Sequence, residues 1–445
     1  MRLAFLTHEP FYPPSGGGSA EAIYLAQELV RRGHTVHLFC PAFSEVDKVG
    51  KLFGGEPAPD PSREGIASAP RSVSSQRGTW SGASAGQFSS SGGVGSPGGL
   101  RCHLFNAWQM GRYTSLRNFK YLAYPVFLER LVERASRQER FDLVFSQHAI
   151  SAVAAGRLKR RLRVPVVMNF LDYLTGFMES WPRWLAPRPL VKALERFELS
   201  MPNRYQADGV MTVSDTLADY FSNAGYPRER IRPIYYGYDA KLFRPAESVA
   251  ASVESPLVVM HGSFDHHHLG AIAAIAVAWV SAKRPKTRFK FVGNRTPALE
   301  KFCRKVRAAV PGARIECAGF VPYTEIARHL ADATVGVVPY EESTGAHCAF
   351  VAKTVEYLGL GLPVVTTPLN SARRYFANEP AVRFSEFNGE SFGRQVLGWF
   401  DEPAERRRNL GLAASQRVRA ELDWSAISKK GVDFVEQIQQ QQGRA

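Results

Sequence analysis

The first forty residues switch period twice, and that switch restricts the fold more than anything else in the chain. RLAFLT (2–7) is an apolar run of strand length. The turn-rich HEPFYPPSGGGS follows, and then EAIYLAQELVRR (21–32), whose apolar residues recur at helical spacing until Gly33 ends the helix as a C-terminal cap. TVHLFC (35–40) then reads as a second buried strand. A β-loop-α-β unit of this kind builds a parallel sheet, because parallel strands need a crossover helix between them.

The alternation continues. Helical spacing over 121–137, a strand FDLVFSQ (141–147), a helix over 152–162 and a strand VPVVMNF (164–170) follow one another, then ADGVMTVSDTLADYFSNAGY (207–226) supplies a strand, a Ser214 helix cap and a helix. RIRPIYYGYD closes this half. A polar Ala/Ser-rich stretch near 245–256 precedes a second series: PLVVMHG, a helix near 270–282, RFKFVG, a helix near 297–309, RIECAGFV, TVGVVPY, a helix from about 350, and LPVVTT. At 445 residues the chain exceeds what one core organises. The expectation is an α/β protein of two Rossmann-like, doubly wound domains facing across a cleft: an N-terminal domain over 1–245, a C-terminal domain over 246–424, and a C-terminal helix over 425–445 able to cross back to the first domain.

Between 44 and 100 the pattern is lost. From 71 to 100, 17 of the 30 residues are Gly or Ser, too few apolar groups to offset ordering entropy, so a disordered insertion is expected there. The five cysteines are scattered and form no C-x-x-C pair, which argues for a reducing compartment and against a disulfide framework or zinc cluster. No apolar run approaches membrane-spanning length, and the N-terminus is too soon interrupted by His8, Glu9 and Pro10 to be a secretory signal. A cytoplasmic location is therefore expected. The net charge of +15 favours anionic partners without choosing among nucleic acid, membrane and phosphorylated substrates. A recognisable nucleic-acid module is lacking, so no nucleic-acid partner is expected.

The sharpest local signal is KTVEYLGLGLPVV (353–365), a helix, a glycine turn and a strand. Lys353 and Glu356, three apart, share a helix face. The Glu356 carboxylate can accept both hydroxyls of a ribose, while free N–H groups near 350–352 and the Lys353 charge suit a diphosphate. The alternative is an ordinary surface Lys/Glu pair.

These residues resemble the family 4 glycosyltransferases of GT-B fold, whose C-terminal domains carry a K-x-x-E-Y-x-x-x-G-x-P-V-V segment. The similarity extends to PPSGGGSAEAIYLAQELVRRGHTVHLF, to TVSDTLADYFSNAGYPRERIRPIYYGYDAKLFRP and to GFVPYTEIARHLADATVGVVPY, and so to nearly all the chain outside 44–100. It implies retaining, metal-independent transfer of a sugar from a nucleotide-diphosphate donor to a glycan, lipid-linked or small-molecule acceptor. No cofactor is then needed beyond the nucleotide sugar as co-substrate. By the same resemblance, Gly16, Gly17 and Gly18 approach the donor phosphates and sugar, Gly319, Phe320 and Val321 hold the nucleobase, and Asp172 faces the sugar or acceptor. Plain packing of Phe320 and Val321, and a turn cap at Asp172, are the alternatives. Basic stretches at 111–121, 156–163 and 177–189 fit either a lipid-linked acceptor with peripheral contact to an anionic inner membrane face, or a solvated surface.

The chain also departs from the family pattern. In Gly262-Ser-Phe-Asp-His-His-His-Leu-Gly270, Ser263 stands in place of an Arg and His268 in place of a Lys that clamp the diphosphate. His268 and Lys353 are then the candidates to hold the leaving group. Cys348 occupies the place of a glutamate, Leu171 that of a His, and Tyr236 that of the Asn in N-G-x-D, with Gly237 and Asp239 retained. The cluster His261, Asp265, His266, His267 and His268 has ligand chemistry, yet adjacent histidines point different ways, so no metal site is expected. Two other readings remain: a nucleotide-sugar epimerase of the same architecture, and a catalytically silent sugar-nucleotide-binding protein.

Overall fold

The computed structural model describes residues 1–13, 17–43, 46–53, 88–89, 99–105, 117–181, 183–184, 186–245 and 255–442. The first sheet contains β1 (Arg2–Thr7), β2 (Thr35–Pro41), β3 (Phe88–Ser89), β4 (Gly99–Phe105), β5 (Leu143–Gln147), β6 (Val166–Phe170), β7 (Gly209–Thr212) and β8 (Ile231–Pro233), in the order β3-β4-β2-β1-β5-β6-β7-β8. Seven strands run parallel, and two-residue β3 pairs antiparallel with β4. Leu3 to Leu6 are fully buried, as expected for a central strand with helices on both faces. In β1, Leu3 sits between Val36 and Leu143, so the order reverses between β1 and β5. Gly33 ends the helix Gly17–Arg31 at φ +83°, the left-handed cap expected from sequence.

The second sheet is wholly parallel: β9 (Leu257–His261), β10 (Arg288–Val292), β11 (Arg314–Gly319), β12 (Val335–Val338), β13 (Val364–Thr366) and β14 (Val382–Phe384), in the order β11-β10-β9-β12-β13-β14. Its reversal lies between β9 and β12. In open α/β sheets the crevice outside the strand ends at such a reversal is where ligands bind.

The chain crosses between the two sheets twice, and the crossings are bonded to each other. Tyr238 N–H donates to Leu422 O and Trp424 N–H to Tyr238 O, both at 3.0 Å. The helix Trp424–Gln442 then returns to the first sheet, where Trp424 stacks on Tyr24 at 5.3 Å and Arg32 pairs with Asp433 and Glu436.

Within 44–100 the structure differs from the expectation of an unstructured insertion wherever it is described. Val46–Leu52 is a helix and β4 begins at Gly99, while most of the Gly/Ser-rich run lies outside the described residues. In β4, Leu100 and Cys102 are buried while Arg101 and His103 alternate with them, so half the strand is polar and its apolar signal is weak. The helix Arg188–Arg204 and strand β14 also went unread, both lacking a long apolar run.

Candidate active site in the interdomain cleft

The N-terminal wall is assembled at the carboxyl ends of β1, β5 and β6, on either side of the reversal. His8 and Glu9 follow β1, His148 follows β5 and Asp172 follows β6. His148 starts the helix His148–Leu162 in a left-handed conformation, φ +67°, with Nε2 3.6 Å from Glu9 Oε2. A Cβ on Gly18 would lie 2.6 Å from His148 Nε2 and 2.8 Å from Glu9 Oε2, so only glycine lets the helix Gly17–Arg31 approach this pair. Gln147 Nε2 donates to Gly18 O at 2.9 Å and to Glu21 Oε2 at 3.0 Å, and Asn169 Nδ2 donates to the same carboxylate at 2.9 Å.

These groups perturb one another. Burial pushes the Glu21 carboxyl up to about 7, against the bonds from Gln147 and Asn169 and the His148 charge. Burial likewise raises Asp172 to about 6, with His148 opposing and Glu9 reinforcing the shift. Burial disfavours a charged His148, yet Glu9, Asp172 and Glu21 together outweigh it and raise its pKa.

The C-terminal wall follows the same logic around β9 and β12. Gly262, at φ +100°, packs under Lys353, whose Cε would lie 2.9 Å from a Cβ there. Lys353 Nζ donates to Tyr340 Oη at 3.0 Å. The helix Ala352–Gly359 has no side-chain cap at its N-terminus, and in its first turn Thr354 N–H bonds back to Val351 O at 3.0 Å. Glu356 is 4% exposed and joins three elements: Oε2 to His261 Nε2 at 2.7 Å, and Oε1 accepting from Tyr323 Oη at 3.0 Å. A surface Lys/Glu pair is thereby excluded. A carboxylate offers about four lone-pair sites, so two remain for a ligand.

Tyr236 marks where the walls meet. Burial raises its phenol well above the ordinary value, helped by Glu356 from one wall and by Glu21, Asp172 and Glu9 from the other. The domains also touch directly: Glu179 accepts from Thr344 N and Oγ1, at 2.9 and 2.7 Å, and Ser214 Oγ donates to Cys348 O at 2.6 Å.

The other residues singled out from sequence divide. Gly16 lies outside the described residues, and Gly17 begins the first helix. Ser263 is exposed in the loop after β9. His268 is not a second cation: burial, then Lys353 and His267, hold its pKa well below the ordinary value. Its Nδ1 accepts from Asp265 N–H at 3.2 Å, which leaves Nε2–H as a neutral donor. Gly319 takes φ +80°, Val321 packs on the core, and Phe320 is 67% exposed, so its ring does not pack. Asp265, His267 and His268 are the one trio among the described residues whose ligand atoms lie within 4.8 Å of one another. The adjacent Lys353 charge disfavours a cation there. In the basic run 156–163, Arg157 pairs with Glu129, Lys159 with Asp208 and Arg161 with Glu133, so much of its charge is neutralised internally. Among the described residues no helix is long and apolar enough to cross a membrane.

His148, Gln147, Asn169, Glu9, His261 and Tyr323 were not read as site residues from sequence. The available signal was position: most stand at or just past the carboxyl end of a strand beside a reversal.

Comparison with known proteins agrees with this architecture. The family described as "Glycosyl transferase 4-like domain" matches residues 16–237, and "Glycosyl transferases group 1" matches residues 255–398. Among curated proteins none matches in sequence. Sucrose-phosphate synthase from Thermosynechococcus elongatus superposes with a TM-score of 0.71 at 15% identity, covering 98% of each chain. Anabaena HepE in complex with UDP and glucose gives 0.65 at 14% identity, over 98% of this chain and 99% of that one. A glycosyltransferase from Rickettsia africae gives 0.64 at 12% identity, over 98% of both. With its two matched segments spanning both sheets and its GT-B architecture, the chain belongs to the family 4 glycosyltransferases.

Proposed function

We propose that the enzyme takes its sugar from a nucleoside-diphosphate donor held between Lys353, Glu356 and the amides near residue 352 on one side and Gly18, His148 and Asp172 on the other. The observation that carries this reading is the Glu356 carboxylate, fixed by His261 and Tyr323 one helical turn from Lys353. A pre-oriented carboxylate suits ribose hydroxyls, while an ammonium beside uncapped amides suits a diphosphate. The exposed Phe320 ring offers a face for the base. Anabaena HepE, of the same fold, is described with UDP-glucose, which supports a nucleotide sugar as co-substrate.

Transfer proceeds with retention and without a metal in this reading. The protein's part is to bind the oxocarbenium-like state and the departing diphosphate. Lys353, the amides and the neutral Nε2–H of His268 stabilise the leaving group, and the donor's own phosphate oxygen takes the acceptor's proton. Asp172 orients a hydroxyl near the anomeric centre. The acceptor, a glycan or lipid-linked sugar, approaches from the N-terminal side.

The test is product analysis with a panel of UDP-, GDP- and ADP-sugars, with and without mixed glycan and lipid-linked acceptors, after chelator treatment. Acceptor-dependent nucleotide release with the donor's anomeric configuration kept is the expected outcome. Donor isomerised without acceptor would replace transfer by epimerisation, and metal-dependent turnover would contradict the metal-free mechanism.

A further inference from the structure

A second cluster of reactive chemistry lies at the edge of the C-terminal sheet and shares no residue with the cleft. Leu299, Cys303 and Arg307 recur at four-residue spacing on the helix Pro297–Ala309, with Glu300 and Arg304 beside them, so they share one face. Opposite stand Ile315 and Cys317 on edge strand β11, two residues apart and therefore on one side of the sheet. Arg295 completes the lining of an open pocket of about 350 Å³.

Two features set this pocket apart from a solvated basic surface. The Cys303 and Cys317 sulfurs are 3.8 Å apart, Cys303 buried and Cys317 half-buried. Three guanidinium groups line the pocket, and Arg295 and Arg304 have no carboxylate partner among the described residues. We propose that Cys303 and Cys317 are a reactive dithiol, reached through the arginine-lined pocket, that exchanges with a small anionic disulfide and closes to an intramolecular disulfide.

The chemistry follows from the placement. The contact between the two sulfurs, in which either thiol can donate, and then the Arg295 and Arg307 charges hold Cys317 below the ordinary thiol pKa against its burial, while the same contact and burial raise Cys303. The more exposed Cys317 thiolate attacks one sulfur of the disulfide R–S–S–R, expelling one thiolate and leaving a mixed disulfide. Cys303 then attacks the Cys317 sulfur and expels the second. The two protein thiols lose two protons and two electrons, and the small disulfide leaves as two thiols. Bond formation needs the sulfurs to close from 3.8 Å to about 2.05 Å. Cys40, Cys102 and Cys348 are buried, and burial raises all three, so they serve as internal controls.

The experiment exposes the folded chain to oxidised glutathione, which is anionic, or to uncharged hydroxyethyl disulfide, and reads intact mass and non-reducing peptide maps over time. The expected product has lost two hydrogens and links the Cys303 and Cys317 peptides. Cys303→Ser stops at a mixed disulfide on Cys317, and Cys317→Ser stays unmodified. In the Arg295→Ala/Arg304→Ala variant the ratio of the glutathione rate to the hydroxyethyl rate falls by about tenfold or more, which cancels any change in thiolate fraction common to both reagents. An unlinked chain, or equal modification of Cys40, Cys102 or Cys348, would overturn the dithiol assignment. An unchanged rate ratio would overturn the anionic preference.

Discussion

Replacing Glu21 by glutamine removes a carboxyl that burial holds at about 7 rather than 4.5. The side chain is 1% exposed and touches Gln147 and Asn169 beneath the glycine loop. Below about pH 4.5 the folded and unfolded chains are both protonated at this position. As pH rises, the unfolded chain releases its proton first and the folded chain keeps it until about pH 7. Stability is therefore lost across that window, by about 3 kcal/mol at 1.36 kcal/mol per unit, and is flat above it. Glutamine has nothing to titrate. The variant's fixed packing cost cancels when its stability relative to wild type is followed against pH, as do the raised carboxyls of Asp172 and Glu198 common to both proteins. Urea unfolding at half-unit intervals from pH 4.5 to 8 reads the difference directly. The variant should gain about 3 kcal/mol on wild type over this range. A difference that stays flat with pH would mean that Glu21 is ionised in the folded protein and the account of this wall is wrong.

Gly18→Ala forces His148 and Glu9 back by several tenths of an ångström, since its methyl would sit 2.6 Å from His148 Nε2. A displacement near 1 Å at a reacting centre costs up to about a hundredfold in rate, so kcat/KM should fall by tens of fold while the urea midpoint moves little. Trp424→Ala empties a fully buried site stacked on Tyr24 at the second crossing, and calorimetric unfolding should report a loss of about 3–5 kcal/mol. Tyr323→Phe removes the donor to Glu356 Oε1. Nucleotide affinity should weaken by about three- to tenfold, about 0.6–1.4 kcal/mol, the worth of one ordinary hydrogen bond, with little change in melting temperature.

The fold was legible largely because its central strands are buried on both faces. Runs such as RLAFLT and PLVVMH have no polar alternation to confuse with an amphipathic element, and Ser214 caps its helix by accepting from Leu217 N–H as its position suggests. β4 was not legible, because Arg101 and His103 interrupt it and the Gly/Ser run directly precedes it. The C-terminal wall announced itself through a local motif, Lys353 and Glu356 on one short helix. The N-terminal wall has no such motif: Glu9, Glu21, His148 and Asp172 come from four separate segments and meet only because β1, β5 and β6 are neighbours. At His268 the environment settles what residue type leaves open: burial, then the Lys353 and His267 charges, hold its pKa well below the ordinary value.

The most direct test of the central claim is calorimetric titration of UDP, GDP and ADP into wild type, Lys353→Met and Glu356→Gln. The account predicts that one nucleotide binds, that Lys353→Met weakens it at least about tenfold, or 1.4 kcal/mol, with a smaller loss for the matching monophosphate, and that Glu356→Gln weakens diphosphate and monophosphate alike. Equal binding by all three proteins, or no binding of any nucleotide, would contradict the placement of the donor between Lys353 and Glu356.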